Sequence, residues 1–274
     1  MKFPSIVLNL LFASGSLAAM GTATRRARNL EKIAERAGNP RQSLPKSPVV
    51  ESADFEEPDN STHVEYSSNW AGAVLIGTGY NSVTATINVP KPSIPSGGSS
   101  KTTYYASAWV GIDGDTCDTA ILQTGIDVGV QGSSYVYEAW YEWYPDYSYT
   151  FSGFSLSAGD SVQITVKATS SSAGTATISN LSTGKSVSHS FSGESNKLCE
   201  YNAEWIVEDF SSGNSLVPFA NFGEFVFTGA SATTTSGTTV GVSGSTIMDI
   251  KQNSKVLTSC GVSGSNEVYC DYAG

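Results

Sequence analysis

From Tyr66 onward, apolar and polar side chains alternate with a period of two, and clusters of Gly, Ser, Asn and Pro break the alternation at short intervals. The clearest runs are Val83–Val89, Ser161–Lys167, Thr175–Ile178, Glu224–Phe227 and Thr246–Ile250, all rich in Val, Ile, Thr or Phe. No stretch carries the 3.6-residue repeat of a long amphipathic helix. Short strands joined by tight turns predict antiparallel sheets that must pack together to hide one face each. The expected fold is all-β, an antiparallel β-sandwich of jelly-roll type with two stacked sheets. Residues 63–274 fit one such domain of about 210 residues. Pro90–Ser100, with three prolines and two glycines, reads as a surface loop.

The preceding sequence differs in character. Lys2, the apolar run Ile6–Ala13 and the small residues Ser16, Ala18 and Ala19 predict a secretory signal over residues 1–19, the run being too short to span a bilayer. The expected product is therefore secreted and extracellular, with no membrane partner. Residues 20–62 lack strand periodicity, contain Pro40, Pro45, Pro48 and Pro58, and read as a basic propeptide. Residues 1–60 hold eight Lys/Arg and seven Asp/Glu, whereas the remainder holds seven basic and 18 acidic side chains, a sum of −11 without one arginine. Such a surface repels polyanions, which excludes nucleic acid as a partner. It suits an acidic medium, where protonation relieves self-repulsion. Four cysteines in an exported chain, Cys117, Cys199, Cys260 and Cys270, predict two disulfides with three pairings open, and their spacing does not suit zinc. Asn60-Ser-Thr62 and Asn180-Leu-Ser182 are glycosylation sequons.

Elimination narrows the chemistry. The two histidines are His63, at the expected processing boundary, and His189, in the Ser/Thr-rich run Ser186–Ser190. No G-x-S-x-G, H-E-x-x-H or Asp-Thr-Gly occurs, and Ser182–Lys185 reads as a hairpin turn. Carboxylates, amides and aromatics remain, concentrated in three segments. In Tyr135–Tyr144, alternation puts Val136, Glu138, Trp140, Glu142 and Tyr144 on one face, a mixture of acids and rings suited to a cleft for an extended polymer. Trp109 and Asp113 share a face, as do Ile121, Gln123 and Asp127, and as do Glu204, Ile206 and Glu208. Asp113-Gly-Asp115 falls far short of a calcium ligand set, so no metal is expected.

Ser68-Asn-Trp-Ala-Gly72, Ala108–Cys117, Ala120–Gly125, Trp140–Asp146 and Asn202–Phe210, taken in this order, resemble the glutamic peptidases, the eqolisin family of fungal acid proteases. The resemblance covers nearly all of residues 64–272. It implies a two-sheet sandwich, secretion as a zymogen, and pepstatin-insensitive endopeptidase activity in acid with no metal or organic cofactor. Its catalytic pair maps to Gln123 and Glu204. At pH 3 to 4 a carboxylate of ordinary pKa, about 4.3, is partly ionised and can exchange protons with water, while a glutamine amide can donate to an oxyanion at any pH. Trp70, Trp109, Asp113, Asp127, Glu138, Glu142, Tyr144 and Glu208 match positions that bind substrate or support the cleft, Glu138 standing where the family pattern has an aspartate. Under the same resemblance Cys117 pairs with Cys199, just ahead of Gln123 and Glu204, and Cys260 pairs with Cys270. The Pro90–Ser100 loop lacks the basic insert that two-chain members excise, so one mature chain is expected, taken as a monomer.

Two other readings remain at this level. One is a jelly-roll glycosidase with two carboxylates such as Glu138 and Glu204 about 5 to 9 Å apart. The other is a non-catalytic carbohydrate-binding module. The segment Gly21–Val50, with seven Lys/Arg against Glu31 and Glu35, is expected to cover an acidic cleft as an inhibitor of polypeptide cleavage.

Overall fold

The computed structural model describes residues 40–49 and 64–274. The expected signal, the rest of segment 20–62, His63 and the Asn60 sequon lie outside the described residues. In chain order the strands are β1 (Arg41–Gln42), β2 (Val64–Ser67), β3 (Trp70–Ile76), β4 (Tyr80–Asn88), β5 (Tyr104–Ile112), β6 (Ile121–Gln131) and β7 (Ser134–Tyr144). There follow β8 (Tyr149–Thr150), β9 (Ser161–Ser170), β10 (Ala173–Asn180), β11 (Lys185–Ser192), β12 (Asn202–Glu208), β13 (Ser211–Ser212) and β14 (Ser215–Leu216). The last are β15 (Glu224–Thr234), β16 (Thr239–Val240), β17 (Thr246–Gln252), β18 (Lys255–Val256), β19 (Thr258–Ser263) and β20 (Glu267–Tyr272). Every run predicted from alternation lies within one of these strands, Val89 alone falling one residue beyond β4.

One sheet runs β18-β17-β3-β12-β5-β6-β7-β8, with β2 parallel to β17, and the other runs β11-β10-β9-β4-β15-β20-β19, with β16 on β15. A small ribbon joins β1, β13 and β14. The inner faces meet in one core, as period two requires: Ala106, Ala108, Val110 and Ile112 of β5 and Leu122 and Ile126 of β6 share it with Val83, Ala85 and Ile87 of β4 and Val162, Ile164 and Val166 of β9. Each such aliphatic side chain contributes about 1.5 to 3 kcal/mol by leaving water. Trp205 bridges the layers by donating its Nε1–H to the Thr84 carbonyl at 3.0 Å. Cys117 is bonded to Cys199, and Cys260 to Cys270 across facing positions of β19 and β20.

His189 sits on β11 with its ring stacked 4.0 Å over Tyr141, on the face of β7 opposite Glu142. Asn180 is also committed to structure. It is 0% exposed, its Nδ2 donates to Asp160 and its Oδ1 accepts from the Thr183 N–H. A glycan on Nδ2 would cost the site's burial and disturb the bond to Asp160, so the protein should carry an unmodified Asn180. Peptide mass spectrometry checks this, and a hexosamine adduct there would contradict it.

Candidate functional site

Strand pairing lays the outer face of the β3-to-β7 sheet out in rungs. The first contains Val74, Glu204, Gly111, Gln123 and Glu142, on β3, β12, β5, β6 and β7 in turn. The next contains Gly72, Ile206, Trp109, Gly125 and Trp140, and the third Trp70, Glu208, Ser107, Asp127 and Glu138. Eight of the residues expected from sequence therefore share one face within three rungs. The other two extend it: Asp113 follows the end of β5, and Tyr144 ends β7, opposite Ile121 and half-buried against the cluster that holds Trp70, Trp109 and Trp140.

Gly111 separates the strands of Glu204 and Gln123. A Cβ on Gly111 would stand 3.2 Å from Glu204 Oε2 and 2.7 Å from the Trp109 ring, so the missing side chain leaves room for both groups to lean together. Gln123 Oε1 and both Glu204 carboxyl oxygens are buried without a hydrogen-bond partner. Trp109 sits over Gly125, donates its Nε1–H to Glu208 at 2.9 Å and meets Trp70 edge-on at 5.0 Å. Asp113, in the left-handed region at φ 69°, accepts four backbone N–H bonds from Cys199, Glu200, Tyr201 and Asn202. With the Cys117–Cys199 bond, this clamps the stretch that leads into Glu204. The one cluster of metal-ligating spacing among the described residues, Asp113 with Cys117 and Cys199, has both sulfurs tied up in that disulfide.

Residues 40–49 lie across these rungs. Arg41 is 6% exposed, with Nε on Asp127 Oδ2 at 2.9 Å, Nη2 on Ser107 Oγ at 3.0 Å and Nη1 on Glu142 Oε2 at 3.5 Å. Its guanidinium lies 3.8 Å over the Trp140 ring and 4.4 Å over that of Phe210. The Ser43 N–H donates to Glu142, and the Ser43 carbonyl accepts from Gln123 Nε2 at 3.3 Å. Lys46 pairs with Asp115 and, at 2.8 Å, with Glu65.

Burial under this segment changes the acids. Desolvation, reinforced by the charges of Asp113 and Asp115, holds the Glu204 carboxyl well above the usual carboxylate range. Glu142 is raised by burial against the opposing pull of Arg41, and burial lifts Glu208 to about 7 and Asp209 to about 8. An ordinary carboxyl at Glu204, as the sequence alone predicts, describes an open cleft rather than this covered one.

A model of the peptidase A4 family matches residues 68–272. The chain belongs to the peptidase A4 family. It is 53% identical to aspergillopepsin-2 of Aspergillus niger over 96% of this chain and 97% of that one, and 48% identical to scytalidopepsin B of Scytalidium lignicola over 78% and 81%. Its fold is similar to the crystal structure of scytalido-glutamic peptidase with a transition state analog inhibitor (TM-score 0.69, 48% identity, 75% of this chain, 98% of that one). It is also similar to aspergilloglutamic peptidase from Aspergillus niger (TM-score 0.60, 58% identity, 62% and 99%). It is a glutamic-type endopeptidase, a hydrolase acting on peptide bonds.

In this A4 peptidase the glycosidase pair Glu138 and Glu204 does not come together. Glu138 and Glu204 stand three strands and two rungs apart, about 14 Å across the sheet and about 13 Å along it at ordinary strand spacing. Sequence reasoning passed over Arg41, Ser43, Asn69, Ser107 and Gly111, which touch or shape the cleft. Asn69 and Gly111 lie inside motifs that carry the resemblance, but neither residue type announces a role by itself.

The raised acids set a pH dependence of stability. Asp249, lifted by burial to about 6, joins Glu208 at about 7 and Asp209 at about 8, so each takes up a proton on folding between about pH 4 and its folded value. Their contribution is complete below about pH 4 and is lost as pH rises through 6, 7 and 8. The melting temperature should be highest near pH 4 and on the order of 10 °C lower at pH 8, read by calorimetry. A Tm that rises over that interval would contradict the protonated buried acids.

Proposed function

We propose that this peptidase is secreted as a zymogen and cleaves proteins in acid with Glu204 and Gln123 acting on one water, residues 20–62 serving as an inhibitory propeptide. The observation that carries this reading is the Ser43 carbonyl 3.3 Å from Gln123 Nε2, beside the unpartnered oxygens of Gln123 and Glu204. A substrate carbonyl in that place puts its carbon where a water held by Gln123 Oε1 and a Glu204 carboxylate can attack. Glu204 takes the water's proton, and Gln123 Nε2–H stabilises the oxyanion. Glu204 then returns the proton to the departing amine as the C–N bond breaks. Trp70, Trp109 and Tyr144 supply contact area, Asp127, Glu138, Glu142 and Glu208 line the binding groove, and Asp113 orients the entry to Glu204. Each step uses protein groups alone, acting within one monomeric chain.

Residues 40–49 seat at the pair, where burial raises the Glu204 carboxyl well above the usual carboxylate range. Docking uses the Arg41–Asp127 and Lys46–Asp115 ion pairs. Above about pH 7, ionisation of Glu208 opposes its burial. A basic segment is attracted less to an acidic cleft as acid removes negative charge, so the separate peptide 24–50 should inhibit the acid-activated enzyme better at pH 6 than at pH 3. Equal potency at both values would remove the charge argument.

The function itself is tested by cleavage of a denatured protein at pH 3.5 by acid-treated secreted enzyme, with and without pepstatin, alongside a panel of polysaccharides. Proteolysis that survives pepstatin, with no sugar release, is expected. Glycan turnover without proteolysis would overturn the reading.

A further inference from the structure

We infer that Asn69 is a substrate-binding residue that holds the leaving half of a peptide substrate by its main chain. The inference rests on the reading above, in which the Ser43 carbonyl occupies the place of the carbonyl to be cleaved; Leu44 and the residues after it then mimic the portion that departs as amine.

Along that portion one buried side chain makes three main-chain contacts. Asn69, 3% exposed, donates Nδ2 to the Leu44 carbonyl at 3.3 Å and the Pro45 carbonyl at 3.2 Å, and its Oδ1 accepts the Ser47 N–H at 2.9 Å. None of these bonds consults a side chain, so the same grip suits any extended sequence. The grip is prepared from behind. Ser67 Oγ donates to Asn69 Oδ1 at 2.9 Å, the Asn69 carbonyl accepts the Asp209 N–H at 2.9 Å, and Gln252 Nε2 bridges the Ser68 carbonyl and Asp209 Oδ2. A planar amide fixed in this way presents donor and acceptor together, and the Ser68 N–H adds a bond to the Ser47 carbonyl at 2.9 Å. Arg41 and its acids occupy the opposite half of the groove. Binding on the Asn69 side is thus set by length beyond the cleaved bond rather than by residue identity.

The test uses acid-activated wild type and Asn69→Ala on two peptides identical up to the cleaved bond, one carrying a single amidated residue beyond it and the other four, with products identified by mass. On the four-residue peptide, kcat/KM for the variant should fall about tenfold or more, mainly through KM. On the one-residue peptide, which keeps only the longest contact, it should stay within about threefold of wild type. Asn69→Asp, which retains an acceptor for Ser67 and so protects the turn, should show the same length-selective loss at pH 5. Loss of equal size on both peptides would reduce Asn69 to a structural residue, and no loss on either would remove it from the groove; both overturn the inference. Wild-type turnover of the one-residue peptide that disappears in Glu204→Gln tests the reacting pair separately.

Discussion

Glu204→Gln should leave the protein folded and lower kcat for peptide hydrolysis at pH 3.5 by about 10³-fold or more. The substitution keeps shape and burial but removes the group proposed to take a proton from water and return it to the amine. Nearby candidates among the described residues are already committed. Asp113 is spent on four backbone N–H groups, Glu208 is tied to Trp109, and His189 stacks on Tyr141 on the opposite face of β7. Gln123→Ala should cost about 10²- to 10³-fold, the range for removing one oxyanion donor. The double variant should lose little more than Glu204→Gln, because both groups serve one transition state. Initial rates on a quenched fluorescent peptide, with circular dichroism as the folding control, decide the matter. A Glu204→Gln enzyme retaining a tenth of wild-type kcat would refute the assignment.

Replacing Arg41 by Ala in the inhibitory peptide 24–50 should raise its inhibition constant at pH 6 by about 30- to 1,000-fold, the usual cost of truncating one partner of a buried, hydrogen-bonded charge pair. Arg41 combines an ion pair at 2.9 Å, a bond to Ser107 and stacking between Trp140 and Phe210. Removing it takes the cation from beside the buried Asp127. Arg41→Lys should recover only part of the loss, since an ammonium cannot fork between Asp127 and Ser107 or lie flat between two rings. Lys46→Ala should also weaken inhibition, mainly through its pair with the buried side chain of Asp115, because its second partner Glu65 is 52% exposed and water competes for that bond. An inhibition constant that ignores Arg41 at pH 6 would mean that the segment docks by other contacts.

Much of this architecture was legible in the chain because a strand writes its two faces into alternate residues. Gln123 with Asp127, Glu204 with Glu208, and Glu138 with Glu142 each fall on one face by counting alone, and the structure keeps all three assignments. Strand extent was less legible. Glu224–Phe227 continues to Thr234 through Thr, Gly, Ser and Ala, where side chains too small or too polar to alternate leave faint periodicity across a bulge. The basic charge ahead of the domain predicted docking, yet among its Lys and Arg residues nothing local distinguished Arg41 as the one that fills the groove.

What the sequence determined by itself was the all-β class, the inward and outward face of each strand, and, through five ordered motifs, the family. Those properties are local, carried by side-chain chemistry and a period of two. The tertiary structure alone decided the rungs: that Glu204, Gly111 and Gln123 stand side by side, that Asn69 faces the groove, that Asn180 is sealed, and that Glu204 is driven towards its neutral form. Register depends on hydrogen bonds between strands far apart in the chain, and burial depends on what the rest of the molecule lays over a residue. Neither quantity is written at the residue it governs.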